Sequence, residues 1–273
     1  MDPATIIGIL LAFGALFGMI KLEGVHVEGL LLPAPMLLVF GATIAVGIAG
    51  TTIKDALLSF RKIPHAFTGK VIPPQSVIDE IVALAEKARS EGLLSLEAEK
   101  STDQFMKGAL QNIADGTDGE ELRILLEDEM ESRLAADRTA SKFFNSLGGY
   151  APTVGIIGTV VSLTHVLENL ASPDELGPLI AAAFVATLWG LLSANFLWLP
   201  FAGRLKKLAD LDEARMTLLI EGVLAVQAGS QPRLLGERLK AMVPTHALTD
   251  AKGKGGAKGA KAKAGADDQG LAA

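Results

Sequence analysis

The sequence predicts an all-α polytopic membrane protein with four transmembrane helices and a helical cytoplasmic domain. Three observations predict this class: four long stretches without charge, an uneven placement of Lys and Arg, and helical periodicity in the charged segment between the second and third stretches. The 273-residue chain is 49% hydrophobic, with a mean hydropathy of +0.37. Soluble domains are also about half apolar, so the overall composition does not distinguish them from membrane proteins. The prediction therefore rests on how the charged residues are distributed along the chain.

The four uncharged stretches are each long enough to cross a bilayer core, which takes about 18–20 residues. They contain 18, 25, 25 and 28 residues and cover 3–20, 29–53, 143–167 and 176–203. We predict transmembrane helices at about 3–20, 31–53, 145–168 and 177–200. These lengths argue against a soluble single domain, a disordered chain and a secreted disulfide scaffold.

A signal peptide is the alternative for the first stretch. A signal peptide begins with a basic segment and ends at a small-residue cleavage site. The chain begins Met1-Asp2-Pro3 and has no Lys or Arg before the apolar stretch, so we predict a retained transmembrane helix.

Lys and Arg indicate how the chain lies in the membrane. Lys21 is the only basic residue before Lys54, and the connection 168–175 contains none. The other basic residues lie in 54–142 or after residue 203. Since cytoplasmic loops carry the excess of Lys and Arg, we expect a multi-pass protein of the cytoplasmic (inner) membrane with both termini inside.

We predict five parts along the chain, ending in a tail that has too little apolar surface to fold. They are 1–53, with transmembrane helices 1 and 2; 54–142, the cytoplasmic helical domain; 143–203, with transmembrane helices 3 and 4; 204–245, the cytoplasmic C-terminal helices; and 246–273, a disordered Ala/Gly/Lys tail. We expect the tail to stay in solvent, with contact to anionic lipid headgroups as the alternative.

Capping signatures predict where the cytoplasmic helices begin. Ser76 with Asp79 is a variant of the capping box, and Asp118 with Glu121 repeats the pattern before a helix that runs to about Lys142. After the fourth span, residues 205–243 are predicted to be helical with a break at 229–232. No segment has a convincing strand pattern.

Several kinds of chemistry are excluded or disfavoured by composition. The chain has no cysteine, which excludes thiol catalysis, disulfides and thiolate metal sites. Its four histidines lack metal-ligand spacing, and no nucleotide loop or nucleophile triad is present. The net charge of -6 is mild, so nucleic acid is not an expected partner. We therefore expect no enzyme, no metal and no cofactor.

Small and hydroxylated residues fall at spacings of three and four in the third and fourth stretches, which include Thr159 and Thr187. Such faces allow helices to pack closely, and the two threonines are the candidates for a polar ion path. No Asp, Glu, Lys or Arg lies in the four stretches, although ion carriers need an ionisable group or an oxygen cage in the membrane. A conducting chain must therefore obtain its carboxylate from another subunit.

Pro152 and Pro200 lie near the predicted cytoplasmic ends of the third and fourth helices. Proline removes one helix hydrogen bond and kinks or ends a helix. Each is either a helix boundary or a hinge that couples the membrane helices to the cytoplasmic ones, and the local sequence does not distinguish these roles.

Five separated stretches together resemble one known family over residues 1 to about 243. They are MDPAT at 1–5, ARSEGLLSLE at 88–97, APTVGIIGT at 151–159, PDELGP at 173–178, and EGVLAVQAG at 221–229 followed by Pro232 and Arg233. In this order and spacing they resemble the A subunit of the bacterial flagellar stator, the MotA/PomA family of the MotA/TolQ/ExbB superfamily.

The resemblance implies a function and a set of partners. Five A subunits, a homopentamer, would surround two copies of a B-type subunit (MotB/PomB-like) that carries an intramembrane aspartate. Ion flow past that aspartate would rotate the ring and turn the rotor. The transported ion is H+ or, as the alternative, Na+, and we expect H+.

The resemblance also implies roles for six residues. Arg89 and Glu97 correspond to the charged pair that contacts the rotor switch protein (FliG-like). Thr159 and Thr187 correspond to threonines near the ion path. The remaining two, Pro152 and Pro200, correspond to the functional prolines of conformational coupling.

The rotor-facing motif departs from the family pattern at two places. Relatives often have a second charge where this chain has Ser90, and two adjacent acids where it has Glu97-Ala98-Glu99. Arg89 and Glu97 could instead be a solvated helix edge, since exposed ion pairs contribute only about 0–1 kcal/mol. Two competing functions stay open for the whole chain: an energy-transducing channel subunit of the ExbB/TolQ kind and a passive membrane scaffold.

Overall fold

The computed structural model describes residues 4–99, 101 and 103–248. Every regular element within these residues is helical, so the all-α class is confirmed. The first residues of the predicted disordered tail, 246–248, are helical, and the rest of the tail lies outside the described residues from residue 249 onward. The chain divides into a first unit, residues 1–70 and 134–210, and a second unit, residues 71–133 and 211–273.

Nine helices lie wholly within the described residues, in addition to the helical residues 245–248 and the 3₁₀ helices Val27–Leu30 and Leu93–Ala98. They are α1, Ala4–Leu22; α2, Pro33–Ala49; α3, Ile53–Arg61; α4, Ile63–Thr68; α5, Pro74–Glu91; α6, Gln104–Ala114; α7, Gly119–Glu168; α8, Pro173–Gln227; and α9, Pro232–Ala241. Two of them contain a π-helical segment: Leu37–Ala42 in α2 and Ser193–Trp198 in α8.

Three helices, α1, α7 and α8, are long and apolar enough to cross a membrane within the described part of the chain. The second uncharged stretch forms the shorter α2 instead of the predicted 31–53. It ends early because Thr52 caps the next helix: its Oγ1 accepts a hydrogen bond from Asp55 N at 3.1 Å. At 1.5 Å per residue α2 is about 26 Å long, close to the bilayer core of about 30 Å. The count of four spans stays a prediction.

The helices do not end where the sequence predicts the membrane segments to end. The predicted helix to about Lys142 and the predicted span from 145 form the single 50-residue helix α7. Helix α8 likewise begins at Pro173, not at 177, and continues to Gln227. A change from charged to uncharged residues alters the solvent that a helix prefers without breaking its backbone hydrogen bonds. The predicted domain limits at 142 and 203 therefore stay a prediction.

The two capping predictions have different outcomes. Asp118 precedes α7, and its Oδ1 accepts a hydrogen bond from Glu120 N at 2.9 Å, as predicted. Ser76 is not the cap of α5, which begins at Pro74 after Pro73. Proline suits the first helical position because its fixed φ matches the helix, and the Ser76 hydroxyl instead donates back to Pro73 O at 2.7 Å.

An aromatic cluster forms much of the core of the first unit. The rings of Phe144 and Trp198 stack 6.2 Å apart, and Phe60, Phe143 and Phe201 pack around Phe144 at centroid distances of 5.6–5.9 Å. The cluster joins α3, α7 and α8. Such a densely packed core resists deformation.

The second unit combines an apolar core with buried charge. Ile78 and Ile81 of α5 are almost fully buried, as their helical spacing predicts. Arg215 of α8 is only 13% exposed and pairs with Asp103 and with Asp212, the latter at 2.7 Å. Burial opposes the charge of Arg215, but these two carboxylates outweigh it and raise the pKa of the guanidinium overall.

Candidate functional site

Helices α7 and α8 cross with their backbones in contact. A Cβ placed on Gly190 would lie 2.8 Å from Ala151 O and 3.1 Å from Gly155 Cα. A Cβ on Gly155 would lie 2.9 Å from Ala186 O. Only glycine permits this approach at the two positions, so the predicted close packing of the small-residue faces is confirmed.

The two candidate threonines meet at this crossing. Their Oγ1 atoms lie 2.5 Å apart, and Thr159 Oγ1 also lies 2.9 Å from Ala183 O and 3.2 Å from Gly155 O. Both side chains are half-buried. Each hydroxyl has one proton to donate, so this group of oxygens has more acceptors than donors and can solvate a cation or hydrogen-bond a water molecule. The structure brings together the pair that the sequence singled out, and its role in an ion path stays a prediction.

Pro152 and Pro200 lie inside helices, so the helix-boundary interpretation is wrong for both. Pro152 lies within α7, and Pro200 lies within α8, two residues after the end of the π-helical segment Ser193–Trp198. In that segment Leu199 N donates to Ala194 O, five residues back. Because proline has no N–H to donate, a wider turn before it accommodates the lost hydrogen bond.

One helix contact connects the two prolines. A Cβ on Gly148, four residues before Pro152, would lie 2.5 Å from the side chain of Leu199, the residue before Pro200. Along α7 this contact lies between the threonine pair and the aromatic cluster. The points at which α7 and α8 have weakened backbone hydrogen bonding therefore face each other.

Arg89 and Glu97, the candidate rotor-facing residues, are both exposed in the second unit. Neither side chain makes a hydrogen bond or an ion pair with another described residue. Arg89 lies in the last turn of α5, and Glu97 lies in the 3₁₀ helix Leu93–Ala98. Both charges are thus available to a partner, although exposure alone also fits a solvated edge.

Two polar residues near this pair, Glu99 and Ser90, form hydrogen bonds within the chain itself. Glu99 is bound by Lys87, whose Nζ donates to Glu99 Oε2 at 2.6 Å. This hydrogen bond raises the pKa of Lys87 despite some desolvation. The Ser90 hydroxyl donates back to the carbonyls of α5 at 3.1 Å and 3.2 Å. Glu97 therefore differs from Glu99 in having no ion-pair partner among the described residues, and the proton of the Ser90 hydroxyl is directed to α5.

Sequence reasoning missed the Lys87–Glu99 ion pair, the π-helical segments and the Gly148–Leu199 contact. The ion pair joins residues twelve apart across a bend, and no helical or strand spacing indicates such a pair. The π-helical segment before Pro200 had one available signal, since a proline inside an apolar helix requires an irregular turn nearby.

Comparison with known proteins decides the family. Residues 6–92 match the family model "Motility protein A N-terminal", and residues 97–217 match the "MotA/TolQ/ExbB proton channel family". Motility protein A of Bacillus subtilis is 35% identical over 253 residues, which cover 89% of this chain and 92% of that protein. The chain belongs to the motility protein A family. As a member of this family, it is a membrane protein and a subunit of a flagellar stator ion channel.

Solved structures agree with the motility protein A assignment. The flagellar MotAB stator complex from Bacillus subtilis matches with a TM-score of 0.82 and 33% identity, covering 90% of this chain and 98% of that one. The structure of C. jejuni MotAB matches with a TM-score of 0.84 and 25% identity, covering 90% and 97%. The fold of this chain is therefore that of the matched MotAB chains over 90% of its length.

Proposed function

We propose that this chain joins a B-type (MotB/PomB-like) subunit to form a channel in which H+ influx, or Na+ influx as the alternative, drives torque on the rotor. The observation that carries this is the crossing of α7 and α8, where Thr159 and Thr187 form an oxygen-rich point in an uncharged apolar stretch. An ion entering such a place needs an ionisable group or a dense oxygen cage, and the uncharged stretches contain no Asp, Glu, Lys or Arg, so the carboxylate would come from the partner. The solved relatives are MotAB complexes, which supports a partner subunit.

The threonine pair would solvate the ion while the partner's aspartate holds its charge. The Thr159 hydroxyl lies beside backbone carbonyls and in contact with the Thr187 hydroxyl, so it can exchange its hydrogen bond to Ala183 O for one to water or to the ion. No part of this role needs a charge on this chain. The proposed role of the chain is therefore that of a channel wall, without catalysis and without a bound cofactor.

Pro152 and Pro200 would transmit motion away from the threonines. Each weakens its helix at the Gly148–Leu199 contact, so a small change at the crossing can bend α7 and α8 there and leave the aromatic cluster intact.

Five copies of the chain would form a ring around two B-type subunits. Arg89 and Glu97 would meet the rotor switch protein (FliG-like).

The proposed topology places the chain in the inner membrane with both termini cytoplasmic. A reporter fused at Met1 tests it, and an extracytoplasmic reporter would overturn the topology and favour an ExbB/TolQ-like subunit. The support for that alternative is that the family model matched by residues 97–217 also includes the TolQ and ExbB proteins.

The decisive experiment is deletion of the gene followed by complementation. Loss of swimming with filaments still assembled supports the stator function, and normal swimming would refute it. Co-expression with the B-type partner should give an ion conductance, whereas a passive scaffold would give none. Swimming speed against sodium concentration at fixed proton-motive force then distinguishes H+ from Na+.

A further inference from the structure

Leu94 is an unusually exposed apolar side chain in the second unit. It is 70% exposed, whereas Leu96, two residues later, is fully buried. Isolated exposed leucines are common on protein surfaces and by themselves indicate nothing. Leu94 differs because the chain around it is fixed and because the flanking residues Arg89 and Glu97 are exposed and make no ion pair with other described residues.

The segment that carries Leu94 is fixed at both ends. Gly92 adopts φ +84°, which other residues rarely adopt, and its N–H donates to Ala88 O at 2.9 Å. Ser95 Oγ then donates to Gly92 O at 2.7 Å. At the other end Glu99 N donates to Leu96 O at 3.1 Å, and the buried Leu96 holds the 3₁₀ helix against the core. Leu94 is therefore presented from a defined turn.

The Lys87–Glu99 ion pair adds a tie across this segment. It connects the penultimate turn of α5 to the residue after the 3₁₀ helix, at 2.6 Å. Its side chains are 30% and 41% exposed, so the pair contributes little to global stability. The Lys87–Glu99 pair instead sets the direction in which the segment 92–99 leaves α5.

We propose that Leu94 is the apolar anchor of the surface that receives the rotor switch protein, with Arg89 and Glu97 as charges at its rim and the Lys87–Glu99 pair as its brace. This inference rests on the proposed stator function. Exposed ion pairs contribute little affinity and mainly steer association, whereas buried apolar anchors supply most of the binding energy of an interface. Two rim charges without an anchor would thus make a poor site for transmitting force.

The charges and the anchor define the partner's chemistry. The matching surface of the switch protein has a shallow apolar pocket for Leu94, an acidic side chain for Arg89 and a basic one for Glu97. A membrane lipid does not fit, because an anionic headgroup would meet Glu97. Vesicles of anionic lipid that bound the purified complex through Leu94 would contradict the proposal.

The test compares Leu94→Ala with Leu234→Ala, a change at a leucine that is 59% exposed in the same unit. Both leucines are exposed, so neither change should impair folding. The purified complex with its B-type partner is titrated with the purified switch protein of the same bacterium. We expect about tenfold weaker binding for Leu94→Ala and unchanged binding for Leu234→Ala. Equal affinity of Leu94→Ala and the unmutated chain would overturn the proposal.

A second comparison separates this inference from the function on which it rests. If Arg89→Glu binds and swims normally, the proposed rotor face itself is wrong. If Arg89→Glu fails and Leu94→Ala binds normally, only the anchor is wrong.

The brace is tested by charge exchange. Lys87→Glu and Glu99→Lys should each weaken binding, and the double variant should restore it because the pair reforms with its charges reversed. If the double variant does not recover binding, the Lys87–Glu99 pair does not position this surface.

Discussion

The contact between α7 and α8 brings two backbones of the first unit together, and Gly190→Ala tests it. The added Cβ would lie 2.8 Å from Ala151 O and 3.1 Å from Gly155 Cα, both backbone atoms that cannot rotate away. Ordinary contact needs about 3.5 Å, so the crossing must widen by about half an ångström. Overpacking costs about 1–3 kcal/mol, and the higher helix propensity of alanine returns up to about 1 kcal/mol. Because both contacts are with backbone atoms, the cost lies at the upper end of its range, and we expect a net loss of about 2 kcal/mol.

Gly177→Ala is the matched control in the same helix, because a Cβ there has no neighbour within 4 Å. The melting temperature of the purified complex should fall by several degrees for Gly190→Ala and not for Gly177→Ala. Ion flux should fall as well, since Thr187 lies one turn from Gly190 and its 2.5 Å contact with Thr159 depends on the same spacing. Equal melting temperature and flux in the two variants would refute the backbone-contact argument.

Variants at four residues each test a single side chain. Arg89→Glu should lower torque with little change in the amount of protein in the membrane, and a fall in that amount would indicate a structural role. Thr187→Ala should lower ion flux while Thr187→Ser retains it, and normal motility of the alanine variant would leave the threonine only a packing role. Pro200→Ala returns an N–H to α8, so torque should fall at an unchanged or higher melting temperature, whereas normal torque would rule out a hinge. Arg215→Gln leaves two carboxylates without their buried cation and should destabilise the second unit by about 3 kcal/mol, measured by its melting temperature; unchanged stability would contradict this.

The length and spacing of apolar residues predicted the helical class because both depend on local rules. An uncharged stretch of 18 residues or more predicts a membrane helix from the thickness of the bilayer alone, and α1, α7 and α8 meet that criterion. Helix ends follow a different rule, since they depend on caps and backbone geometry. Thr52 ended α2 early, and the absence of any stop between Lys142 and 145 made α7 continuous.

The threonine pair was predictable in part. Residues three and four apart share a helix face, so the sequence could assign Thr159 to the small-residue face of α7 and Thr187 to that of α8. Which residues of the two faces meet depends on the crossing geometry of the helices. That geometry follows from Gly155 and Gly190, whose missing side chains allow the axes to approach and bring the two hydroxyls together.

The two acids at the end of the rotor-facing motif show why a charge pattern alone is insufficient for function. In the sequence, Glu97 and Glu99 are equivalent candidates separated by one alanine. In the structure, the 3₁₀ helix ends between them at Ala98, so Glu97 is exposed while Glu99 turns back to Lys87. A carboxylate already bound to a cation of its own chain has less charge to offer a partner. The acid of this motif that is available to a partner is therefore Glu97, and Glu99 acts on the same surface only through the position of the segment that it holds.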